Sequence, residues 1–539
     1  MHRPHGAALL MKSAHVLIGF LIVLLYARTV PGGFVYDDEF TVRDNPAIRR
    51  LANWPYFFTE PATAVAHPLQ QNMVYRPLAT TFFALEYAAF GVDRPGRWHL
   101  VSIGLFLLVI GSMSSFSRRL LKRDDLILVA VAFAAFHPLM SETVSWVSAQ
   151  PTLLCALCLL LGLAAYDLGT GVPGGVRRWW FAGSALLLAA SMFFKEVGVV
   201  APLVVAAHRV DGASPRYRYA VIGAVGAVAV AYVAIRTALT GAVAQSALYG
   251  DGFAKHLAAV ASIVPRYLVR AALPVHLRVF DDWPDPGVLN TLVGAAFLIG
   301  VPIAAWRMRA SRPSLSFALA FAWLTYLPSS NLIPTGMPSA ERYFFLPMIG
   351  LCWAFAIVAE PLLRERSVNV AAPVIVAIGC LFAGLTFART HIWSSPERFW
   401  ENAVREQPRL ALGHYQLGLY YSADADLTRA EEHYRRALDV DPDHAGALNN
   451  LGTTLARAER YDEAAEIFTR ILSVDPANDP VIENLVRVRM QQGRFEEAAA
   501  IVADALRERP SERLKRLARG LLDASIAPGT REELSRLAS

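Results

Sequence analysis

LLMKSAHVLIGFLIVLLYART, residues 9–29, decides the class of this chain: it holds one Lys, one Arg and no acid. At 1.5 Å of rise per residue such a stretch covers the roughly 30 Å of a bilayer's hydrocarbon. Just beyond it stands an acidic cluster, Tyr36-Asp37-Asp38-Glu39. The composition agrees with a membrane reading: of 539 residues, 55% are hydrophobic and only 18% charged, too apolar for a soluble protein of this length. The net charge of +6 is spread over short loops and the C-terminal region, with no basic patch, so no nucleic-acid partner is implied.

Apolar stretches read as spans over 9–29, 99–117, 126–137, 151–168, 179–194, 197–208, 217–236, 288–306, 314–330, 343–361 and 369–388, about eleven, with 126–137 and 197–208 short. Cytoplasmic loops are enriched in Lys and Arg. That order puts Arg118, Arg119, Lys122 and Arg123, then Arg177 and Arg178, then Arg209, Arg216 and Arg218 inside. Arg307, Arg309, Arg312, Arg364 and Arg366 follow on the same side, whereas 137–150 has no Lys or Arg. With Arg3 and Lys12 ahead of the first span, the N-terminus is expected inside and the C-terminal region outside. The first span reads as retained, since its apolar run exceeds a signal-peptide core and no small-x-small cleavage site follows. Outer loops are expected at 30–98 and 237–287, each with an amphipathic stretch, 77–87 and 254–272, that reads as interfacial. Cys155, Cys158, Cys352 and Cys380 sit in apolar stretches, where a thiol packs as a small hydrophobe.

From residue 395 the pattern becomes charged, Ala-rich and periodic. Pro408, Pro442, Pro476 and Pro510 stand 34 apart, as do Ala430, Ala464 and Ala498, while Leu417-Gly418 and Leu451-Gly452 open successive helices and Tyr434 and Phe468 fill one large slot. This is the tetratricopeptide pattern, in which small residues let two helices close and proline ends the second. A membrane domain over 1–394, one partial and three full repeats over 395–510 and capping helices over 511–539 are expected, all-α throughout. Such arrays take peptides or partner proteins in a concave groove, or serve architecture alone.

An intramembrane or membrane-edge charge usually has a partner or a task. Here they gather at the outer ends of spans: Asp37 and Asp38, His137 and Glu142, Lys195 and Glu196, Asp281 and Asp282, Glu341 and Arg342. With Tyr36-Asp37-Asp38, Asn45-Pro46, Tyr75-Arg76-Pro77-Leu78, His137-Pro138, Glu142, Phe194-Lys195-Glu196, Leu327-Pro328-Ser329-Ser330-Asn331-Leu332 and Ala340-Glu341-Arg342-Tyr343 in that order, the chain resembles the transmembrane and tetratricopeptide-repeat (TMTC) family. The resemblance implies a GT-C type glycosyltransferase: a polyprenyl- or dolichyl-phosphate sugar enters from the membrane and passes to an acceptor on the outer face. In the animal members the sugar is mannose and the acceptor a protein Ser or Thr. The chain departs from them at Ser145-Trp146-Val147-Ser148-Ala149-Gln150-Pro151, where a Gly-Arg-Ala-Asp run is expected, and in carrying about three repeats. Its Arg-rich, Lys-poor composition suggests a high-GC bacterium, an inner-membrane location and a periplasmic outer face.

Transfer from a lipid phosphate to an alcohol needs a base for the hydroxyl proton and cations for the leaving phosphate. Asp37, matching the first acid of the family's outer-loop motif, is the candidate base, and Asp38 an orienting or metal-binding carboxylate. On an extended segment the two point opposite ways. Lys195, Arg342 and Arg76 are the candidate phosphate cations. Glu196 and Glu341 either join the substrate site or neutralise those cations in a bundle ion pair. Tyr75, His137 and Glu142 complete the substrate-binding candidates, with His137 readable also as a satisfied loop residue; Asp281-Asp282-Trp283, bounded by prolines, reads either as a metal- or sugar-holding group or as a turn. No Gly-rich phosphate loop, zinc spacing or serine elbow is present. A divalent metal stays open, as do the sugar and the acceptor, protein or glycan. A membrane-anchored, non-catalytic repeat scaffold is the alternative. A transporter would need midplane acids and inverted repeats, and the sequence shows neither.

Overall fold

The computed structural model describes residues 5–66, 73–209, 214–241, 249, 252–283, 286–334, 339–363 and 368–539. Arg3, Arg364 and Arg366 of the charge map, and parts of both outer loops, lie outside the described residues. Every regular element among the described residues is helical. The chain divides into two units, Met1–Pro396 and Glu397–Ser539.

The first unit is a multi-pass membrane bundle with fewer full spans than the eleven expected. Among the described residues six helices are long and apolar enough to cross a bilayer: Met11–Thr29, Pro95–Leu121, Val147–Gly171, Pro215–Thr240, Val288–Met308 and Ala371–Ser394. Asp124–Phe136 and Pro138–Ser145 make a seventh if counted as one span, bent by 56° at His137. The bend follows from Pro138, which cannot continue the preceding helix. Expected spans at 197–208, 314–330 and 343–361 become the helices Ala201–Ala207, Pro313–Tyr326 and Phe345–Val358, of 7, 14 and 14 residues. Fourteen residues rise only about 21 Å. The expected span at 179–194 lies in Val176–Phe194, which begins with Arg177 and Arg178 and is not among the six. Apolar composition reports exclusion from water, which a protein interior provides as well as lipid does: ten residues of Phe345–Val358 are buried inside the bundle. Close backbone packing helps, since a Cβ on Gly350 would lie 2.7 Å from the Ala318 carbonyl oxygen.

The first long loop, expected outside, folds into a small layer of its own. Short turns over Ala47–Arg49, Leu51–Asn53 and Pro61–Thr63 and the helix Trp54–Thr59 enclose Phe34, Val42, Ile48 and Phe57. The Asn45 amide holds the layer by donating to the carbonyls of Thr41 and Thr63 and accepting from the Ala47 amide. The expected interfacial stretch 77–87 forms the helix Pro77–Phe90, which buries Thr80, Phe83, Ala84 and Glu86 against its neighbours. The stretch at 254–272 forms Phe253–Ala272, with nine buried residues including Arg270. Cys155, Cys158 and Cys352 are buried as expected, whereas Cys380 is exposed on the helix Val368–Thr390.

The second unit stacks three helix pairs, Ala411–Ala423 with Leu427–Val440, Ala445–Arg457 with Tyr461–Val474, and Asp479–Gln491 with Phe495–Glu508. Glu512–Leu521 and Pro528–Ala538 close the stack, and Leu514, Ala518, Leu521 and Leu534 are buried there. The first two pairs close over a glycine, Gly418 against Tyr434 and Gly452 against Phe468, where a Cβ on Gly452 would lie 2.7 Å from the ring, whereas the third pair has Val486 at that position. Gly452→Ala should therefore cost about 1–3 kcal/mol of overpacking, read as a lower midpoint in thermal unfolding of the repeat signal.

Candidate functional site

Local backbone geometry separates the two aspartates. Tyr36 has φ 53°, a left-handed conformation that costs a tyrosine about 1–3 kcal/mol and persists only where surroundings enforce it. The strand-like segment expected there is a turn instead: the Glu39 amide donates to the Tyr36 carbonyl and a single π turn, Glu39–Arg43, follows. Asp38 is buried. Its Oδ1 accepts from the Ser148 amide (2.7 Å) and hydroxyl (2.6 Å), and its Oδ2 from the Val35 amide (3.2 Å). Burial pushes its carboxyl up to about 7, against the three hydrogen bonds that favour the charged form. Asp37 lies on the other side, lining a cavity of about 330 Å³.

That cavity gathers residues from five distant parts of the chain. Arg76, Lys195, Glu196 and Arg342 line it with Asp37, and each of the three cations is anchored from behind. Arg76 sits at the start of Pro77–Phe90 and makes a two-pronged ion pair with Glu196 at 2.7 and 2.9 Å. Lys195 follows the end of Val176–Phe194 and donates to the Thr152 hydroxyl at 2.6 Å. Burial, then the nearby Arg76, lowers its ammonium from 10.5 to about 7. Arg342 donates to Glu142 through its side chain (2.7 Å) and backbone amide (3.2 Å), and lies 4.7 Å above the Trp146 ring. Of the charged residues that line the cavity, three are cations and two are acids, a surplus suited to an anionic guest when Lys195 is protonated.

The remaining candidates stand behind the cavity. The Tyr75 hydroxyl donates to the Phe58 carbonyl, and its own carbonyl accepts from Tyr232, which fixes the residue next to Arg76. His137 caps the bend: its Nδ1 accepts from the Leu139 amide, so its Nε2–H donates to the Ala271 carbonyl at 3.0 Å. Glu142 is fully buried and reaches the site through Arg342. Glu341 is bound to Arg389 at 2.6 Å, and burial raises its carboxyl toward about 8 despite that arginine, with Glu142 adding to the rise. Asp281 forms a buried two-pronged pair with Arg270 at 2.6 and 2.7 Å, which ties it to the helix Phe253–Ala272. No group of three or more His, Cys, Asp or Glu placed to hold a metal is found among the described residues.

Sequence reasoning missed Thr41, Thr152, Trp146, Ser148 and Tyr343 as parts of this site. The Thr41 hydroxyl donates to the Asp37 carbonyl at 2.7 Å. Ser148 stands in the segment where the chain departs from the family's charged run, and that departure was the one available signal. Its pairing with Asp38 spans 110 residues, which no local pattern reports.

The geometry defines a class: a helical membrane protein with a polar cavity and a tetratricopeptide module. Residues 415–480 and 455–521 match the tetratricopeptide-repeat family. The human protein O-mannosyl-transferase TMTC1 is 25% identical over 519 residues, covering 84% of this chain and 58% of its own length. Mouse TMTC4 is 24% identical over 78% of this chain and 66% of its own, and human TMTC2 is 31% identical over 36% and 24%. The resemblance to the TMTC family is borne out by these relatives, although the chain spans little more than half of the human TMTC1. The apo oligosaccharyltransferase of Archaeoglobus fulgidus covers 71% of the chain at 13% identity with a TM-score of 0.41, a distance at which it does not bear on activity.

Asp38 staples its loop to the bundle through the Ser148 and Val35 donors. Asp38→Ala should strand those donors and cost about 3 kcal/mol, read as a lower midpoint in thermal unfolding of the detergent-solubilised variant.

Proposed function

We propose that the chain is a membrane glycosyltransferase that moves a sugar from a polyprenyl-phosphate donor to a hydroxyl of a protein or glycan on the outer face. The observation that carries the reading is one cavity that holds a carboxylate, Asp37, together with three separately anchored cations. The names of the relatives, protein O-mannosyl-transferases, agree with it. Mannose on a Ser or Thr is the corresponding substrate proposal, with the bacterial periplasm as the compartment.

In this mechanism Asp37 takes the acceptor's hydroxyl proton as the acceptor oxygen bonds to the anomeric carbon. The bond from that carbon to the phosphate oxygen breaks, and its electron pair leaves with the polyprenyl phosphate. Arg342 and Arg76 suit two-pronged contact with the phosphate, and Lys195 adds a compact charge. Glu142, Glu196 and Thr152 hold these three in place before the donor arrives, so little reorganisation is needed when charge develops. Asp38 supports Asp37 from behind. The repeats take the acceptor or a partner protein.

Asp37→Asn should reduce transfer by a factor of about 10² to 10⁴, the range of a positioned base, while insertion and thermal stability are retained. The assay is purified protein with a panel of polyprenyl-phosphate sugars, with and without chelator, and full activity in this variant sinks the mechanism in favour of a scaffold.

Lys195 must be charged to hold the phosphate. Burial lowers its ammonium to about 7, so the charged fraction falls as pH rises through that value. Donor KM should accordingly rise between pH 6 and pH 8, and Lys195→Arg, which keeps its charge throughout, should flatten that rise. Identical profiles for the two proteins would remove Lys195 from the phosphate site.

A further inference from the structure

The second unit carries a charged cavity of its own, and the membrane reading makes no use of it. It measures about 630 Å³ and lies among the helices Pro396–Glu406, Ala411–Ala423 and Leu427–Val440. Arg405, Arg409 and Arg436 line it with two histidines, His414 and His433, against two acids, Glu401 and Asp439. The histidines face each other, Nδ1 to Nδ1, at 3.1 Å, and His414 is 4% exposed.

The hydrogen-bond pattern fixes the protons. Nε2 of His414 lies 3.1 Å from the Pro408 carbonyl oxygen, which only accepts, so Nε2 carries hydrogen. In the neutral ring Nδ1 of His414 is then an acceptor, and His433 must donate its Nδ1–H to it. The Nε2 of His433 is left as the position where the pair takes up a proton. The charged and titratable groups around the pair are Arg429, Glu432, Arg436 and Asp439 on its own helix, Tyr421 on the second helix, and Glu401 and Arg405 on the first, with Arg409 in the turn between. Burial, His414 and the arginines keep His433 neutral, down to about 4. An oxyanion seated among the guanidiniums would reverse that balance by neutralising the arginines and favouring the imidazolium.

We propose that this pocket of the first repeat is an anion site that binds the phosphate group of a phosphate ester. Guanidinium pairs match a phosphate's oxygens in two-pronged fashion, and the cavity is far larger than a bare phosphate, leaving room for the body that carries it. Arg436 also meets Glu432 at 2.6 Å in a half-exposed pair on its own helix, a contact weak enough for a phosphate to compete with. The site is separate from the membrane cavity and does not depend on the transferase reading. An ester free in solution and a lipid headgroup present the same chemistry.

The test is calorimetric titration of the full chain in a non-ionic detergent with glycerol 3-phosphate in one arm and a short-chain phosphatidic acid in the other. Saturable binding is expected in at least one arm, and the arm that binds more tightly identifies the source. The Arg405→Gln/Arg409→Gln double variant, altered only at exposed positions, should bind that probe about tenfold more weakly. Lys195→Gln, in the other cavity, should leave this component in place. Binding by the native chain should take up more protons than binding by His433→Gln. Absence of saturable binding in both arms, or equal affinity of the native chain and the double arginine variant, overturns the proposal.

Discussion

A carboxylate taken wholly out of water must be given donors in return, and Asp38 is the case on which the membrane unit's polar cavity depends. Three donors converge on it, two from Ser148 at the head of a membrane helix and one from Val35 in its own loop. That junction ties the loop after the first span to the bundle. The left-handed Tyr36 is the backbone consequence, and the exposure of the neighbouring Asp37 to the cavity follows from it. Hydrogen bonds to a charged acceptor are worth more than neutral ones, and stranding their donors costs more still.

The same rule organises the charges around it. Arg342 with Glu142, Glu341 with Arg389 and Arg270 with Asp281 are pairs with little exposure; the first two join segments 200 and 48 residues apart, and the third ties a helix to the loop that follows it. Buried pairs of this kind contribute little net stability compared with apolar packing, but removing one partner is costly, so they specify arrangement more than strength. Here they fix short turns, such as the one carrying Arg342 and Tyr343, that have too few apolar residues to be positioned by packing alone. The repeat unit is held on the opposite principle, with small residues such as Gly418, Gly452, Ala430, Ala464 and Ala498 letting the paired helices close and ion pairs at its surface.

Much of this was legible in the residues. The 34-residue period named the repeats because proline, glycine and alanine each act locally on a helix. The ordered motifs at Asp37, Arg76, Lys195 and Arg342 pointed to residues that do meet in one cavity. What misled was apolar run length. Segments such as 314–330 and 343–361 are apolar because protein surrounds them, and hydropathy is blind to whether lipid or protein does the covering. The roles of His137 and Asp281 were equally hidden, since a capping histidine and a paired aspartate have the same letters as ligands.

By itself the sequence determined a helical membrane chain with an appended repeat module, because hydropathy and period are properties of neighbouring residues. Which acid faces the cavity, which cations surround it and which glutamates stand behind them were decided only by tertiary structure. Those choices rest on contacts between residues as much as 200 positions apart, such as Glu142 with Arg342. The physical reason is desolvation: a charge's partner is set by what else is buried beside it, and burial is settled only when the helices pack.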